Sequence, residues 1–442
     1  MRRVLFTAVL AALLLVACAA PPAPEEPPAP PEPPAAEEPP APLLPTEEEL
    51  AAERVENLLA SCAAPPEPEK PPALPDPPAV ELPEEPPAPP EPTEEELAAE
   101  RIEALLSSMT LEEKAGQLFF VRCPETGALE DIAAYHLGGY LLFGRDFKDA
   151  AGNWLTAEQV TEKLRSYQAA AAVPLLIGAD EEGGTVARAS WNPNLFPGGK
   201  CKSPQWLLNH RSGEGDVFAE DAWEKNGALL RYGVNVNLAP VCDVSTDPNS
   251  FIYDRTLGLD AAATADYAER VVTAMRECGI GSVLKHFPGY GNNADTHTGI
   301  ALDNRPIETF LESDFLPFRA GLAAGGGTAA VLVSHNIVKC MDSDLPASLS
   351  PAVHGLLRRE LAFDGVVMTD DLAMKAVAAY ARDGSAAVMA LAAGNDMVVT
   401  TDYRAQIPKV IQAVENGELS EETLNGACRR VLAWKQALGL IA

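Results

Sequence analysis

The stretch VVMTDDL, residues 366–372, is the most informative about the fold, because a short apolar run leads directly into two acidic residues. A run of this length is typical of a buried strand, and Asp370 comes at its carboxyl end. The same arrangement recurs along the chain, since Asp180, Asp243 and His335 each follow another short apolar run. The carboxyl ends of parallel strands converge on one mouth when the sheet closes into a barrel. The pattern therefore predicts one polar site assembled from several strand ends.

Eight such runs predict strands at Leu118–Val121, Tyr140–Phe143, Pro174–Gly178, Val234–Leu238, Ser282–Lys285, Ala330–Ser334, Val366–Thr369 and Met397–Thr400. Segments with helical periodicity lie between them, among them Thr156–Ala172, Ala261–Cys278, Pro351–Leu361 and Glu421–Leu438. Strands that alternate with helices over about 330 residues predict an α/β fold, a (β/α)8 TIM-type barrel. A doubly wound open sheet is the alternative, but no G-x-G-x-x-G follows the first strand.

The first part of the chain differs in composition from the rest. Of the 40 prolines in 442 residues, 27 fall in residues 1–92, which a packed core could not hold in regular structure. We predict that residues 19–92 form a disordered, Pro/Glu-rich linker and that residues 93–442 form the barrel domain. The formal net charge of −31 keeps the protein soluble and disfavours nucleic acid as a partner.

An internal repeat spans the end of this linker. The stretch TEEELAAERVE at residues 46–56 recurs as TEEELAAERIE at residues 93–103. Threonine followed by three glutamates is a helix N-cap with acidic residues in the first turn, so both copies can begin helices. The second copy leads into the barrel domain.

Residues 1–18 are predicted to be an export signal. Two arginines precede an apolar run of about a dozen residues, which is too short for a permanent membrane span. The run ends in LVAC at residues 15–18, which resembles the lipobox of bacterial lipoproteins and implies lipidation of Cys18. We expect an exported protein held at the extracytoplasmic side of the cell membrane through its lipid anchor alone. An ordinary secretory signal with a chance cysteine is the alternative.

The cysteines show no metal-binding or redox spacing. None of the eight forms a C-x-x-C pair, and those after Cys18 mostly occupy apolar sequence settings. We expect buried free thiols, although the sequence leaves open whether any of them pair.

Asp370 is the candidate nucleophile. Retaining glycoside cleavage needs one carboxylate that attacks the anomeric carbon, and a second group that protonates the departing oxygen and then activates water. An Asp-Asp pair can also cap a helix, and we expect Asp371 to lie nearer the cap.

The second group is expected in KHFPGYGNNADTH, residues 285–297. Asp295 and His297 lie two residues apart and can share one face of an extended loop. A carboxylate bonded to one imidazole nitrogen leaves the other free for proton transfer near neutral pH. A surface Asp–His pair is the alternative interpretation.

Several motifs together resemble the β-N-acetylhexosaminidase branch of family 3 glycoside hydrolases over about residues 105–440. The family signature K-H-F-P-G-H-G…D-S-H is similar to residues 285–297, and D-Q-E-G-G-x-V-x-R is similar to DEEGGTVAR at 180–188. N-x-A-P-V-x-D-V resembles NLAPVCDV at 237–244, D-R-S-F-G resembles DRTLG at 254–258, and S-D-D-L resembles TDDL at 369–372.

The resemblance implies a role for each matching residue. It makes Asp370 the nucleophile and His297, oriented by Asp295, the acid/base. The residues expected to hold the hydroxyls of the terminal sugar are Asp180, Arg188, Arg255, Lys285 and His286, and we expect His335 to line the same pocket. Tyr290 and Asn292-Asn293 depart from the signature in the loop of the dyad. Glu181 replaces the usual glutamine, which we interpret as a change without consequence.

The resulting hypothesis is a retaining β-N-acetylhexosaminidase acting on cell-wall fragments, such as peptidoglycan. A phosphorylase, another family 3 β-glycosidase such as a β-glucosidase, and a lipoprotein that binds sugars on an inactive barrel are the alternatives. No metal or cofactor is implied, because no set of acidic residues and histidines has ligand spacing and the chemistry needs none. The expected partner is a carbohydrate, and the oligomeric state stays open.

Overall fold

The computed structural model of the protein describes residues 92–210, 215–291, 301–378, 380 and 385–441. In chain order its strands are β1 Phe119–Arg122, β2 Gly139–Leu142, β3 Leu176–Ala179, β4 Val236–Asn237, β5 Gly281–Phe287, β6 Leu302–Asp303, β7 Ala329–Val333, β8 Ile337–Val338, β9 Val367–Thr369 and β10 Val398–Thr400.

Eight of these strands form one parallel sheet in the order β10-β1-β2-β3-β4-β5-β7-β9. A parallel bridge between Met368 and Met397 brings its two edges together. Strands β6 and β8 pair separately. The predicted (β/α)8 barrel is confirmed, and each predicted strand overlaps an observed one with ends that differ by at most two residues.

The helices surround this sheet. They are α1 Glu94–Ser108, α2 Leu111–Gln117, α3 Ala128–Ala134, α4 Ala157–Ala170, α5 Pro204–His210, α6 Val217–Tyr232, α7 Ala261–Cys278, α8 Ile307–Thr309, α9 Phe315–Gly325, α10 Pro351–Glu360, α11 Lys375–Ala378, α12 Ala386–Ala393, α13 Tyr403–Glu415 and α14 Glu421–Ala437. Every residue of β2, β3 and β7 is buried, because helices cover one face of each strand and the barrel interior covers the other. This is why the strands are continuous apolar runs in the sequence.

Helix α1 begins at the second copy of the repeat. The side chain of Thr93 accepts a hydrogen bond from the backbone N–H of Glu96, and the Glu96 carboxylate accepts one from the backbone N–H of Thr93. This capping box satisfies two backbone donors that the first helical turn leaves free. Ile102 and Leu106 bury the inner face of α1, which packs against α14. The first copy lies outside the described residues.

Strand β5 has an irregular register that matters for the site. Its pairing with β7 shifts between Leu284 and Phe287. Consecutive side chains of a regular strand point to opposite faces, but at this irregularity both Lys285 and His286 line the cavity at the barrel mouth.

Among the described residues, no helix is both long and apolar enough to cross a bilayer. The six cysteines in this part of the chain are all free thiols. Cys123, Cys242 and Cys428 are buried as expected, whereas Cys340 is exposed and the expectation of burial is wrong for it.

Candidate active site

A cavity of about 350 Å³ opens at the carboxyl ends of the barrel strands. Its lining residues are Arg122, Leu141, Phe143, Asp180, Val186, Arg188, Leu238, Arg255, Lys285, His286, Leu332, Asp370, Asp371, Met374 and Val399. The cavity brings together the predicted nucleophile and all five residues predicted to hold the sugar. A second cavity, of about 290 Å³, lies near Gln117 and Val173, where strands begin, and contains none of the predicted site residues.

Asp370 is fixed directly after β9. Its backbone N–H donates to the carbonyl of Val333 at 2.9 Å, and its Oδ1 accepts from the backbone N–H of Asp371 at 2.8 Å. Burial alone would raise the pKa of the Asp370 carboxyl, but its electrostatic interactions with His335, His286 and Lys285 and the hydrogen bond from the Asp371 backbone N–H outweigh burial and hold that pKa below its ordinary value. Asp370 is therefore ionised at neutral pH, as a nucleophile must be.

The second acidic residue of the pair has a different environment. The Asp371 carboxylate accepts a hydrogen bond from the backbone N–H of Ala373 at 3.0 Å. Asp371 is thus hydrogen-bonded to the start of the segment that leads into α11, which agrees with the expectation that Asp371 lies nearer a cap than Asp370 does.

Lys285 lies between two carboxylates. Its ammonium nitrogen Nζ is 2.6 Å from Asp180 Oδ1 and 2.7 Å from Glu182 Oε1. Asp180 also accepts from Arg188 Nη2 at 3.3 Å. These ion pairs hold the two cations at fixed places in the cavity, so a polar ligand could bind them with little further loss of conformational freedom.

Glu182 is the residue of this cluster whose importance the sequence did not reveal. It is buried and accepts two hydrogen bonds from Arg255, from Nε at 3.0 Å and from Nη2 at 2.8 Å. Burial alone would raise the pKa of the Glu182 carboxyl, but Arg255 and Lys285 hold it well below its usual range. The feature of the sequence that could have revealed this role is the position of Glu182 two residues after Asp180, which lets both carboxylates face Lys285.

His286 is oriented by a second buried acid. Its Nδ1 lies 2.7 Å from Asp243 Oδ2, and its Nε2 lies 3.1 Å from Arg255 Nη2. An arginine cannot accept a hydrogen bond, so Nε2 is the accepting nitrogen and Nδ1 carries the proton donated to Asp243. Asp243 Oδ1 also accepts from the backbone N–H of Tyr290 at 2.7 Å. Asp243 therefore fixes both the histidine and the start of the loop beyond it.

Three further residues differ from their sequence interpretation or refine it. His335 is fully buried, and its Nε2 lies 3.1 Å from the carbonyl oxygen of Asp371, so it lies behind the cavity and is not part of its lining. Tyr290 packs edge to face on His286 with ring centroids 5.1 Å apart. Glu181 is fully buried and accepts from the backbone N–H groups of Arg188 and its next two neighbours, so it organises the loop and is not without consequence.

The predicted acid/base pair, Asp295 and His297, lies outside the described residues, as does the predicted lipidation site Cys18. Their roles stay predictions. The described part of the dyad loop ends at Gly291, next to Tyr290.

Comparisons with known proteins agree on one family. Residues 110–434 match the family model described as the glycosyl hydrolase family 3 N terminal domain. The chain is 30% identical over 311 residues to a beta-hexosaminidase of Tolumonas auensis, covering 68% of this chain and 88% of that protein. It is 31% identical over 281 residues to a beta-hexosaminidase of Thiobacillus denitrificans, covering 63% of this chain and 75% of that protein.

Two solved structures show the same fold. A family 3 beta-N-acetylglucosaminidase from a Paenibacillus species superposes with a TM-score of 0.67 at 30% identity, covering 76% of this chain and 64% of that chain, so our chain spans less than two thirds of its length. A family 3 glycosyl hydrolase from Mycobacterium smegmatis superposes with a TM-score of 0.64 at 31% identity, covering 74% of this chain and 98% of that chain.

Proposed function

This chain belongs to glycosyl hydrolase family 3, and on that premise we propose that it is a retaining enzyme that removes terminal β-linked N-acetylglucosamine from glycans. The observation that carries the proposal is an ionised Asp370 that shares one cavity with the paired cations Lys285, Arg188 and Arg255. The relatives named beta-hexosaminidase support N-acetylated sugars as substrates.

The reaction proceeds in two steps. In the first, the Asp370 carboxylate attacks the anomeric carbon, the glycosidic C–O bond breaks, and His297 gives its proton to the departing oxygen. In the second, His297 removes a proton from water, the resulting hydroxide attacks the same carbon, and the bond to Asp370 breaks. Two inversions leave the sugar with its original anomeric configuration.

The other residues of the site bind and orient. The terminal sugar lies with its hydroxyls against Lys285, Arg188 and Arg255, each of which is paired with Asp180, Glu182 or both. Charged donors and acceptors suit that task because their hydrogen bonds to hydroxyls are stronger than those of neutral groups. Asp295 bonds one imidazole nitrogen of His297, which leaves the other to face the glycosidic oxygen.

The proposed setting is the outer face of a cell membrane. The apolar run and the LVAC motif within residues 1–18 support export and lipid anchoring, and the acidic, proline-rich composition of residues 19–92 supports a spacer between the anchor and the barrel domain. Peptidoglycan fragments are then the proposed source of substrate.

The test compares variants on an aryl β-N-acetylglucosaminide and on a disaccharide. Asp370→Ala abolishes turnover of both, whereas Asp266→Ala, which changes an aspartate 58% exposed in an ion pair on α7, keeps the parental rate. In His297→Ala the activated phenol departs without a proton, so an N-acetylhexosamine adduct on Asp370 accumulates and is visible by intact-protein mass spectrometry. The disaccharide is cleaved about 10²–10⁴-fold more slowly.

Four outcomes would contradict the proposal. Parental turnover by Asp370→Ala removes the nucleophile assignment, and parental turnover of the disaccharide by His297→Ala removes the acid/base assignment. Faster cleavage of an aryl β-glucoside than of the N-acetylated substrate overturns the substrate class. Release of a sugar phosphate in phosphate buffer, in place of the free sugar, identifies a phosphorylase.

A further inference from the structure

One arginine contacts the chain on both sides of the predicted acid/base pair. Arg305 lies two residues after Asp303, the last residue of β6, and its side chain is 27% exposed. Its Nη2 donates to the carbonyl oxygen of Gly289 at 3.0 Å, and its Nε and Nη2 donate to Asp303 Oδ2 at 3.0 and 2.8 Å. Residues 292–300, which include the predicted pair, lie between these two contacts in the chain and outside the described residues.

A second buried carboxylate completes the arrangement. Asp314, which directly precedes α9, accepts two hydrogen bonds from Arg305 Nη1, at 2.9 and 3.1 Å. Asp303 and Asp314 are only 2% and 1% exposed, and the guanidinium carbon of Arg305 lies 4.3 Å from the centroid of the Phe310 ring. All three guanidinium nitrogens therefore have an acceptor, and the planar fork of donors fixes the orientation of the group.

Two glycines of the dyad loop pack directly on this ion-pair cluster. Gly291 has a φ of +54°, and a β-carbon there would lie 2.6 Å from the guanidinium carbon of Arg305. Gly289 has a φ of +118°, and a β-carbon there would overlap Asp314 Oδ1. Positive φ and close approach both require glycine, so the two glycines of PGYG allow the backbone to lie against the ion pairs.

The far side of residues 292–300 is attached to the barrel by backbone pairing. The carbonyl of Ala301 accepts from the backbone N–H of Ile337 at 2.8 Å, and that of Asp303 accepts from Lys339 at 2.9 Å. Both donors belong to β8 or follow it directly, and β8 comes after β7 of the main sheet. Arg305 thus connects the segment that leaves β5 with a strand that is itself held on the barrel.

Fixing both ends of a loop reduces the number of conformations open to the residues between them. This matters for a general acid, which must come within about 2.6–3.2 Å of the oxygen it protonates. A displacement of about 1 Å can lower a rate by about 10²-fold. The cavity lining, as far as the structure describes it, contains neither Arg305 nor its carboxylate partners, so Arg305 can affect the reaction only through the loop.

We propose that Arg305 is a positioning residue for acid/base catalysis: by bonding the chain on both sides of residues 292–300, it holds His297 where it can exchange a proton with the glycosidic oxygen and with water. The inference rests on the proposed function. Burial alone would lower the pKa of Arg305, but its bonds to Asp303 and Asp314 outweigh burial and raise that pKa, so Arg305 stays charged and exchanges no proton itself.

The leaving group of the substrate separates a positioning role from a merely structural one. An activated aryl β-N-acetylglucosaminide forms the glycosyl-enzyme without a general acid, whereas a disaccharide of β-1,4-linked N-acetylglucosamine needs one. The measured quantity is the ratio of kcat/KM for the aryl substrate to kcat/KM for the disaccharide. We expect this ratio to rise about tenfold or more in Arg305→Gln. Arg305→Lys keeps the charge with fewer donors in a different geometry, so its ratio should rise less.

Arg358→Gln is the matched control. Arg358 has a side chain 22% exposed, and it also bonds a buried carboxylate, that of Asp396 at 2.7 Å, and a backbone carbonyl, that of Phe363 at 2.9 Å. It lies on α10 and has no contact with the cluster around Arg305 among the described residues. Any loss of folded protein in Arg358→Gln lowers both activities equally and leaves the ratio at its parental value.

A pair of glycine variants tests the same idea from the loop. Gly291→Ala places a β-carbon against Arg305 and should raise the ratio. Gly417→Ala imposes similar backbone strain, since Gly417 has a φ of +74°, but its added carbon would have no atom within 4 Å. Gly417→Ala should therefore keep the parental ratio.

A second measurement follows the glycosyl-enzyme. With the aryl substrate, a displaced His297 activates water poorly, so the adduct on Asp370 should accumulate in Arg305→Gln. Azide is an anionic nucleophile that needs no base: it attacks the anomeric carbon, the bond to Asp370 breaks, and a glycosyl azide is released. We expect azide to raise kcat of Arg305→Gln and to leave kcat of Arg358→Gln unchanged.

If Arg305→Gln does not fold, Asp314→Asn carries the same comparison, because it keeps the shape of the side chain and leaves Arg305 its bonds to Asp303 and Gly289. A parental ratio in these variants, or no response to azide, overturns this inference. The proposed function then still stands if His297→Ala shows the dependence on leaving group. A parental ratio in His297→Ala overturns the acid/base assignment of the proposed function itself.

Discussion

Replacing Glu182 with glutamine tests whether the buried ion-pair cluster holds the site together. Glu182 accepts two hydrogen bonds from Arg255, at 2.8 and 3.0 Å, and lies 2.7 Å from the Lys285 ammonium. Glutamine has the same shape but no charge, and its NH₂ group would face one of these donors. Lys285 keeps Asp180 as a partner, whereas Arg255 loses its carboxylate.

The expected loss of unfolding free energy follows from these contacts. Removing one partner of a buried ion pair costs about 3–5 kcal/mol, because the remaining charge stays buried. Since Asp180 still balances Lys285, we expect the lower end, about 3 kcal/mol at pH 7. The measurement is urea unfolding of the parent and Glu182→Gln, followed by tryptophan fluorescence. Glu162→Gln is the control, because its ion pair with Arg165 is exposed and should contribute less than about 1 kcal/mol.

The difference in unfolding free energy between parent and Glu182→Gln should depend on pH in a defined direction. The folded-state pKa of Glu182 lies below its unfolded value of about 4.3. Its contribution is therefore fully present above that unfolded value and is lost as the pH falls through the folded-state pKa. The difference between parent and Glu182→Gln should be constant from pH 6 to pH 8 and should shrink only below about pH 4. A difference under about 1 kcal/mol at pH 7, or one that grows in acid, would show that Glu182 is not a stabilising buried counter-ion.

Four further predictions address other parts of the chain. His335→Gln removes the largest of the interactions that lower the pKa of Asp370, so the pKa of that carboxyl rises and the acid limb of kcat/KM against pH moves to higher pH; an unmoved limb contradicts this. Burial lowers the pKa of Lys435 to about 7, against about 10.4 in the unfolded chain. Between these two values the unfolding free energy of the parent should therefore rise with pH relative to that of Lys435→Met. The same difference between the two proteins in urea unfolding at pH 7 and at pH 9.5 would contradict this. Cys18→Ser should lose incorporation of labelled fatty acid, and equal labelling would exclude the lipobox. A chain that begins at Thr93 should keep kcat/KM on soluble substrate within about twofold, and a tenfold drop would show that the linker contributes contacts.

The barrel and the position of its site could be predicted from the sequence alone. Buried parallel strands require apolar runs, and eight such runs are visible in the chain. Because the carboxyl ends of the strands converge, the polar residues that follow them had to meet, and Asp180, Lys285 and Asp370 do line one cavity. The spacing of apolar residues and the position of a polar residue at a strand end are local properties of the sequence. They could therefore be predicted without the structure.

The pairing of the charges, in contrast, becomes visible only in the folded chain. The partners of the cluster are far apart along the chain: 73 residues separate Glu182 from Arg255, and 43 separate Asp243 from His286. The sequence gives the number of acids and cations near the mouth, but the pairing depends on the register of the strands and the packing of the loops between them. For that reason the sequence did not show that Glu182 is the buried counter-ion of two cations. Pair formation is a property of distances between strands, and those distances exist only once the barrel has closed.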